Sequence, residues 1–242
     1  MKNKKPLIAI TGASSGIGKA TAELFASKGY PILVMARRDK ELEKIPAEFK
    51  IVAKVDVTDL KQVQDAIAKA EAVFGPVDMI FNNAGTMPLG DFITQPESEK
   101  EMTLDVNIKG VMNGMTAVLP GMVERQTGTI INTSSVAGRW VSAEHSVYNA
   151  AKFAVNALTT QVRREHAKDN IRFTLLEPAF VNTPLADGTS DKAILEKYLS
   201  NRDALGGGLT PAEVAEVVLN IYEMPQHISI KEVVLSHTKQ AI

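Results

Sequence analysis

Tyr148 and Lys152 stand four residues apart in Ser146-Val-Tyr-Asn-Ala-Ala-Lys152, and Ser135 precedes them in Asn132-Thr-Ser-Ser-Val-Ala-Gly138. If residues 147–167 form a helix, positions i and i+4 share a face, so the phenol and the ammonium point into one cleft. A free phenol titrates near 10, too high for efficient proton transfer at neutral pH. A neighbouring cation favours the phenolate, and a shift of about two to three units needs only roughly 3–4 kcal/mol. The expectation is that Lys152 lowers the pKa of Tyr148, giving acid/base chemistry at a carbon–oxygen bond with the Ser135 hydroxyl holding the oxygen. A Tyr followed by a Lys at this spacing is also common on amphipathic helices, so the pair gains meaning only from the elements that position it.

Those elements fit one domain. At 242 residues the chain suits a single α/β domain with one large core, burying about 70–75% of its unfolded surface. A net charge of −1 gives no general attraction to nucleic acid or an anionic membrane, and no apolar run approaches the length of a span. The apolar stretch after the basic Met1-Lys-Asn-Lys-Lys5 is short and runs into a glycine-rich turn, so no signal peptide is read. Without cysteine, and with four scattered histidines, there is no disulfide framework or metal cluster. A cytoplasmic, metal-free protein is expected, handling a small-molecule substrate and copies of itself.

Apolar runs at 7–11, 32–35, 51–55, 79–81, 129–133, 173–176 and 233–235 alternate with helical patterns at 15–28, 40–45, 60–74, 98–125, 147–167 and 211–222. This rhythm predicts a Rossmann-like doubly wound α/β fold, about seven parallel strands with helices on both faces. The polar segment 182–209 breaks the rhythm, contains a short helix near 192–199 and ends in Gly206-Gly207-Gly208. It reads as a lid over the site or as a tolerated surface loop.

Leu7-Ile-Ala-Ile-Thr-Gly-Ala-Ser-Ser-Gly-Ile-Gly18 is a strand, a glycine turn and a helix start. Gly12, Gly16 and Gly18 would let the backbone approach a pyrophosphate held at the helix N-terminus. Their spacing is G-x-x-x-G-x-G rather than the usual dinucleotide fingerprint. An NAD site carries an acid at the end of the second strand, where Leu33-Val-Met-Ala-Arg-Arg38 has Ala36. Asp39 falls too late to replace it. Arg37, with Arg38, would instead pair with the 2′-phosphate of NADP(H), unless both arginines are solvated surface charges.

Thr11-Gly-Ala-Ser-Ser-Gly-Ile-Gly18, Asp56, Asn82-Asn-Ala-Gly85, Asn107, and Ser135 thirteen positions before Tyr148, with Lys152, together resemble the short-chain dehydrogenase/reductase family. The resemblance implies a tetrad of Asn107, Ser135, Tyr148 and Lys152. Tyr148 would exchange the proton, Ser135 would hold the substrate oxygen, Lys152 would tune the phenol and bind the nicotinamide ribose, and Asn107 would place a relay water. It further implies that Ser14, Ser15 and Ile17 line the pyrophosphate turn, Asp56 and Val57 the adenine, and Asn83, Ala84 and Gly85 the ribose. Thr183 would lie near the carboxamide, beyond Pro178-Ala179, where the family usually has Pro-Gly. Ser134 is the competing serine, off by one.

Ala117-Val-Leu-Pro-Gly-Met-Val-Glu-Arg125, Ala137-Gly-Arg-Trp140, Leu209-Thr-Pro-Ala-Glu-Val-Ala-Glu-Val-Val218 and Pro225-Gln-His-Ile-Ser-Ile230 look like the bacterial NADP-dependent 3-hydroxy acid and serine dehydrogenase branch. That narrower resemblance implies a 3-hydroxy acid or serine as substrate, with broad ketone and aldehyde reduction as the alternative. A non-catalytic NADP-sensing regulator is the competing class; it would lack a tetrad member or carry a partner-binding extension. Arg139 would pair with a substrate carboxylate or lie on the surface, and Trp140 and His145 would touch substrate or simply pack. Val111, Met115, Val118, Met122, Val155 and Leu158 on helices 98–125 and 147–167 are candidates for packing in a dimer or tetramer, the contact these helices make in the family.

Overall fold

Alternation along β1 (Leu7–Thr11) divides the core. Ile8 and Ile10 join one apolar cluster with Phe25, Val34 and Val218, while Leu7 and Ala9 join a second with Leu33, Val63 and Val118. Both faces of the strand are covered, so it reads as an apolar run instead of an alternating one. In the computed structural model, which describes residues 5–241, β1 lies inside a seven-stranded parallel sheet of order β3-β2-β1-β4-β5-β6-β7. The basic start of the chain before Lys5 lies outside the described residues. The remaining strands are β2 (Ile32–Ala36), β3 (Lys50–Lys54), β4 (Val77–Asn82), β5 (Gly128–Thr133), β6 (Ile171–Pro178) and β7 (Glu232–Leu235).

The expected Rossmann-like sheet is present, and the largest boundary difference, in β6, has a physical cause. Its polar Arg172 and Glu177 hide the strand's true length from an apolar reading, yet both are buried and paired. The Arg172 guanidinium donates to the Ile221, Tyr222 and Met224 carbonyls at the end of the last helix, satisfying acceptors that a helix C-terminus leaves open.

Helices cover both faces: α1 (Gly16–Ser27), α2 (Asp39–Glu43), α3 (Leu60–Phe74), α4 (Glu97–Leu104), α5 (Gly110–Arg125), α6 (Ser146–Glu165), α7 (Lys192–Asp203) and α8 (Pro211–Glu223). Local signals set their ends. Thr210 and Glu213 form a reciprocal capping box with Pro211 in the first turn of α8, and Asp191 accepts from the Ala193 and Ile194 amides to start α7. The expected single helix over 98–125 is divided, because Asp105–Lys109 forms a π turn in which the Gly110 amide reaches back to the Asp105 carbonyl.

The apolar residues expected to meet a neighbour are largely spent internally. Val111, Met115, Val118, Met122 and Val155 are buried against the sheet, and Leu158 packs on the same cluster. Leu104, Met112 and Phe153 are the large apolar side chains these helices leave exposed. Among the described residues no helix is long and apolar enough to cross a membrane.

Candidate active site

The strand order reverses between β1 and β4, and there the carboxyl ends of the strands open a crevice. It forms a cleft of about 940 Å³ running from the glycine turn to segment 182–209. At one end the turn is set by close packing. Gly12 has a φ of 66°, and a Cβ there would lie 2.7 Å from the Ala84 Cα. A Cβ on Gly18 would lie 2.5 Å from Asn83 Nδ2 and 2.6 Å from the Gly12 carbonyl oxygen, so the Thr11–Gly18 turn and the Asn83-Ala84 backbone interlock. Thr11 Oγ1 reinforces this by accepting from the Asn83 and Ala84 amides at 2.9 and 3.0 Å.

That end is prepared for an anion. Ser15 makes no side-chain cap on α1, and the first turn of that helix carries no acid, which leaves its amides and positive dipole end facing the cleft. Arg38 donates to Ser14 Oγ at 3.1 Å and to Ser15 Oγ at 2.9 Å. Arg38 is therefore the arginine seated on the turn, while Arg37 lines the cleft beside Ala36. Asp56 and Val57 line the wall beyond. The Asp56 carboxylate is fixed by the Thr58 amide and hydroxyl at 3.0 and 2.8 Å, and the Val57 carbonyl accepts from Asn113 Nδ2 at 2.7 Å. Gly110 allows Val57 this place, since a Cβ there would sit 2.7 Å from Val57 Cγ2.

Of the four residues expected to act together, Ser135, Tyr148 and Lys152 line the centre of the cleft, whereas Asn107 does not line it. The end of β5 delivers Ser135, and the first turns of α6 deliver Tyr148 and Lys152 on one face. Ser135 Oγ accepts from the Ala137 amide at 3.1 Å and donates to the Pro178 carbonyl at 3.2 Å. Ser134 does not compete, because it is buried and its hydroxyl donates to the Lys152 carbonyl at 3.3 Å. Asn107 sits fully buried on the π turn, donating to the Thr86 carbonyl at 2.8 Å and accepting from the Thr86 amide at 3.1 Å. Gly85 makes room for it, since a Cβ there would come within 2.9 Å of Asn107 Oδ1.

Burial governs the electrostatics of the pair. Desolvation pushes the Tyr148 phenol well above its ordinary value, the nearby Tyr198 adds to this, and a hydrogen bond between the Ser135 and Tyr148 side chains acts the other way. Desolvation also lowers Lys152 to about 7. The expected lowering of the phenol by Lys152 is thus reversed in the protein alone: a cation that is itself losing its proton near neutrality cannot outweigh burial. Lys152 Nζ makes a hydrogen bond to the Thr133 carbonyl at 2.8 Å, which leaves donor capacity for a ligand's hydroxyl groups.

Segment 182–209 closes the other end. A short helical turn at Pro184–Ala186 and α7 set Leu185, Ile194, Leu195 and Tyr198 against Met87, Leu89, Ala137 and Tyr148. The segment is tied at its base by the Asn182 amide to the Leu209 carbonyl at 2.8 Å and the Leu209 amide to the Phe180 carbonyl at 2.9 Å, with Gly206, Gly207 and Gly208 all at positive φ. Thr183 packs on the turn, because a Cβ on Gly16 would come within 3.0 Å of its Cγ2. Ala179 needs no glycine. It is not among the positive-φ residues, and its amide is fixed by the Leu235 carbonyl at 2.9 Å. Trp140 and His145 line this end. Arg139 does not: its Nε donates to the fully buried Glu177 at 2.7 Å and its Nη2 pairs with Glu232, so it is no partner for a substrate carboxylate.

Residues 6–193 match the short chain dehydrogenase family. An uncharacterized oxidoreductase of Listeria monocytogenes is 40% identical over 248 residues, covering 99% of this chain and 99% of its own length. The chain belongs to the short-chain dehydrogenase/reductase family. It is similar in structure to the closed form of serine dehydrogenase complexed with NADP+, with a TM-score of 0.89 at 29% identity over 98% of this chain and 96% of that one. An alcohol dehydrogenase from Thermococcus sibiricus complexed with 5-hydroxy-NADP gives a TM-score of 0.84 at 26% identity, with 99% of both chains covered.

This short-chain dehydrogenase/reductase has cleft residues that no motif announced. Met87, Glu144, Lys197, Tyr198 and Gln240 line the cleft. Glu144 and Gln240 also fix neighbouring backbone: the Glu144 carbonyl accepts from the Gly90 amide at 3.0 Å, and the Gln240 side-chain Oε1 accepts from the Phe180 amide at 3.2 Å. The polarity break of segment 182–209 was the one signal for Lys197 and Tyr198, and Glu144 ends the Arg139–Glu144 stretch where substrate specificity was expected; for Met87 and Gln240 the sequence carried none.

Proposed function

We propose that this protein is an NADP(H)-dependent oxidoreductase that interconverts a hydroxyl and a carbonyl on a small molecule. The observation that carries the reading is that the Tyr148 phenol, the Ser135 hydroxyl and the buried Lys152 ammonium line the same cleft as the glycine turn. NADP is favoured over NAD by Arg38 on the Ser14 and Ser15 hydroxyls, by Arg37 beside it, and by Ala36 where a ribose-binding acid would stand. The cofactor-bound neighbours support the same choice.

Bound there, the nicotinamide would supply the hydride donor or acceptor. The chain would supply the rest. Gly12, Ser14, Ser15, Gly16, Ile17 and Gly18 would hold the pyrophosphate, Arg37 and Arg38 the 2′-phosphate, Asp56 and Val57 the adenine, and Asn83, Ala84 and Gly85 the adjoining ribose. Lys152 Nζ would hold the nicotinamide ribose hydroxyls, and Pro178 and Thr183 would flank the carboxamide. Ser135 Oγ would turn from the Pro178 carbonyl to the substrate oxygen as negative charge builds on it. Tyr148 Oη would deliver the proton to that oxygen. Burial keeps the phenol protonated, the state from which it donates when the reaction runs as a reduction. Asn107, through Thr86, would hold the loop after β4 in place.

Segment 182–209 would act as a lid within a single domain. Self-association would use Leu104, Met112 and Phe153, and light scattering measures it. Cytoplasmic placement belongs to the same reading and rests on the cysteine-free sequence. The deciding experiment is Tyr148→Phe, which keeps the ring packing and removes the proton donor. We expect turnover to fall by roughly 10²–10⁴ with NADPH binding retained; turnover within tenfold of the unmodified protein would refute the mechanism.

A further inference from the structure

The substrate end of the cleft carries one ion pair on its lining. Met87, Trp140, Val141, Leu185 and Tyr198 give it an apolar and aromatic wall. Apart from Lys152 at its floor, Lys197 on α7 is the one lysine or arginine lining that end among the described residues, and its Nζ lies 2.8 Å from Glu144 Oε1. Arg139 is turned away onto Glu177 and Glu232. His145 directs Nδ1 at the Ala143 carbonyl at 2.6 Å.

Glu144 is held where it can do this. It is a non-glycine residue in left-handed backbone, with a φ of 66°, and its carbonyl accepts from the Gly90 amide at 3.0 Å. Such a conformation persists where the surroundings over-determine it, and here the loop after β4 supplies the constraint. The side chain leaves this fixed point to meet Lys197 across 53 residues of sequence.

Resting on the oxidoreductase reading above, we propose that Glu144 determines charge selectivity: by occupying Lys197 it leaves the substrate end without a cation free for a carboxylate, so the cleft takes uncharged ketones and aldehydes in preference to 3-oxo acids, 3-hydroxy acids and serine. A carboxylate entering this apolar wall loses hydration and needs a charge-assisted donor in return. The donor present is matched already by Glu144.

A matched pair of substrates isolates the charge: acetoacetate and its methyl ester, reduced with saturating NADPH, differ in the carboxylate and share the reacting carbonyl. For the unmodified protein the ester should exceed the acid at least roughly tenfold in kcat/KM, the scale of one charge-assisted contact. Glu144→Gln should raise kcat/KM for the acid roughly three- to fivefold, as expected for freeing a partly exposed lysine, while the ester changes less. Combining Glu144→Gln with Lys197→Met should erase that gain. Glu144→Asn, an amide suited to left-handed backbone, supplies the same test if the Gln variant folds poorly. An acid used as well as its ester, no gain in the amide variants, or a gain that survives Lys197→Met would each overturn the proposal. If both compounds, and a wider panel of ketones and aldehydes, are inert while NADPH still binds, the oxidoreductase reading itself falls and takes this one with it.

Discussion

The two ends of the cleft are made differently. The nucleotide end is backbone meeting backbone: Gly12 against Ala84, Gly18 against the Gly12 carbonyl, and Thr11 Oγ1 under two amides. Its glycine turn lies within one strand and the start of one helix, and packs on the Asn83-Ala84 backbone 72 and 73 residues from Thr11. The substrate end is assembled from single long-range contacts, such as the Leu89 amide to Thr189 Oγ1 across 100 residues, the Ser190 amide to Glu99 Oε1 across 91, and Lys197 to Glu144 across 53. Shape at the first end is fixed by what glycine lacks, and at the second by polar side chains that hold a segment down. Damage to the nucleotide end should therefore appear as lost cofactor affinity, and damage to the substrate end as a changed KM and a softer lid.

Lys152 belongs to both ends and carries the largest expected effect. Its folded pKa of about 7 lies below the ordinary 10.5, so between those values the unfolded chain binds more protons than the folded one. The resulting penalty is fully present below about 7 and fades as pH rises toward 10.5. Lys152→Met removes the buried charge, so the variant should be more thermostable than the parent at pH 6, by an amount on the order of several kcal/mol that shrinks toward pH 10. Thermal unfolding across that range checks it. A stability difference independent of pH would show that Lys152 is not desolvated as described.

Gly18→Ala breaks the nucleotide end directly. The new Cβ would meet the Gly12 carbonyl oxygen at 2.6 Å, a backbone atom that cannot swing aside as a flexible side chain can. Overpacking of this kind costs about 1–3 kcal/mol, and if the turn yields to relieve it, NADPH affinity should fall roughly five- to hundredfold. Fluorescence titration checks this, and unchanged affinity would mean that the turn tolerates side chains its packing forbids. Arg38→Met is gentler. It removes the guanidinium from Ser14 and Ser15 and should raise KM for NADPH roughly tenfold, from about 1.5 kcal/mol for a charged hydrogen bond, with little change for NADH. Equal changes for both cofactors would count against 2′-phosphate recognition.

The same contrast explains what could be read in advance. The sheet and the glycine turn were legible because each rests on local pattern, apolar runs and a strand-turn-helix; the four-residue helical spacing offered only Tyr148 with Lys152, while Asn107 and Ser135 came from the family resemblance. Ser135 was separable from Ser134 by its offset alone, and the structure shows why it matters, since one hydroxyl faces Tyr148 and the other is buried against the Lys152 carbonyl. Arg139 was not legible. Its fate depends on Glu177 in β6 and Glu232 in β7, which only the folded sheet brings to the same place. The direction of the Tyr148 shift was missed for a related reason: sequence shows the neighbouring charge but not how deeply both groups are buried. The π turn that splits α4 from α5 left no mark in the apolar periodicity.

The smallest effect should come from loosening one tie of the substrate end. Thr189 is buried; its Oγ1 accepts from the Leu89 amide at 3.0 Å and donates to the Ala186 carbonyl at 2.7 Å, joining the lid segment to the loop after β4. Thr189→Val keeps the shape and leaves the Leu89 amide without its acceptor, at a cost of about 1–3 kcal/mol. For a chain of this size that is a fall in Tm of roughly 2–4 °C per kcal/mol. Because the contact lies far from the glycine turn, NADPH affinity should stay near its original value while KM for the carbonyl substrate rises severalfold. A variant that lost cofactor and substrate affinity together would show that the two ends are mechanically coupled, and the division of labour between them would fail.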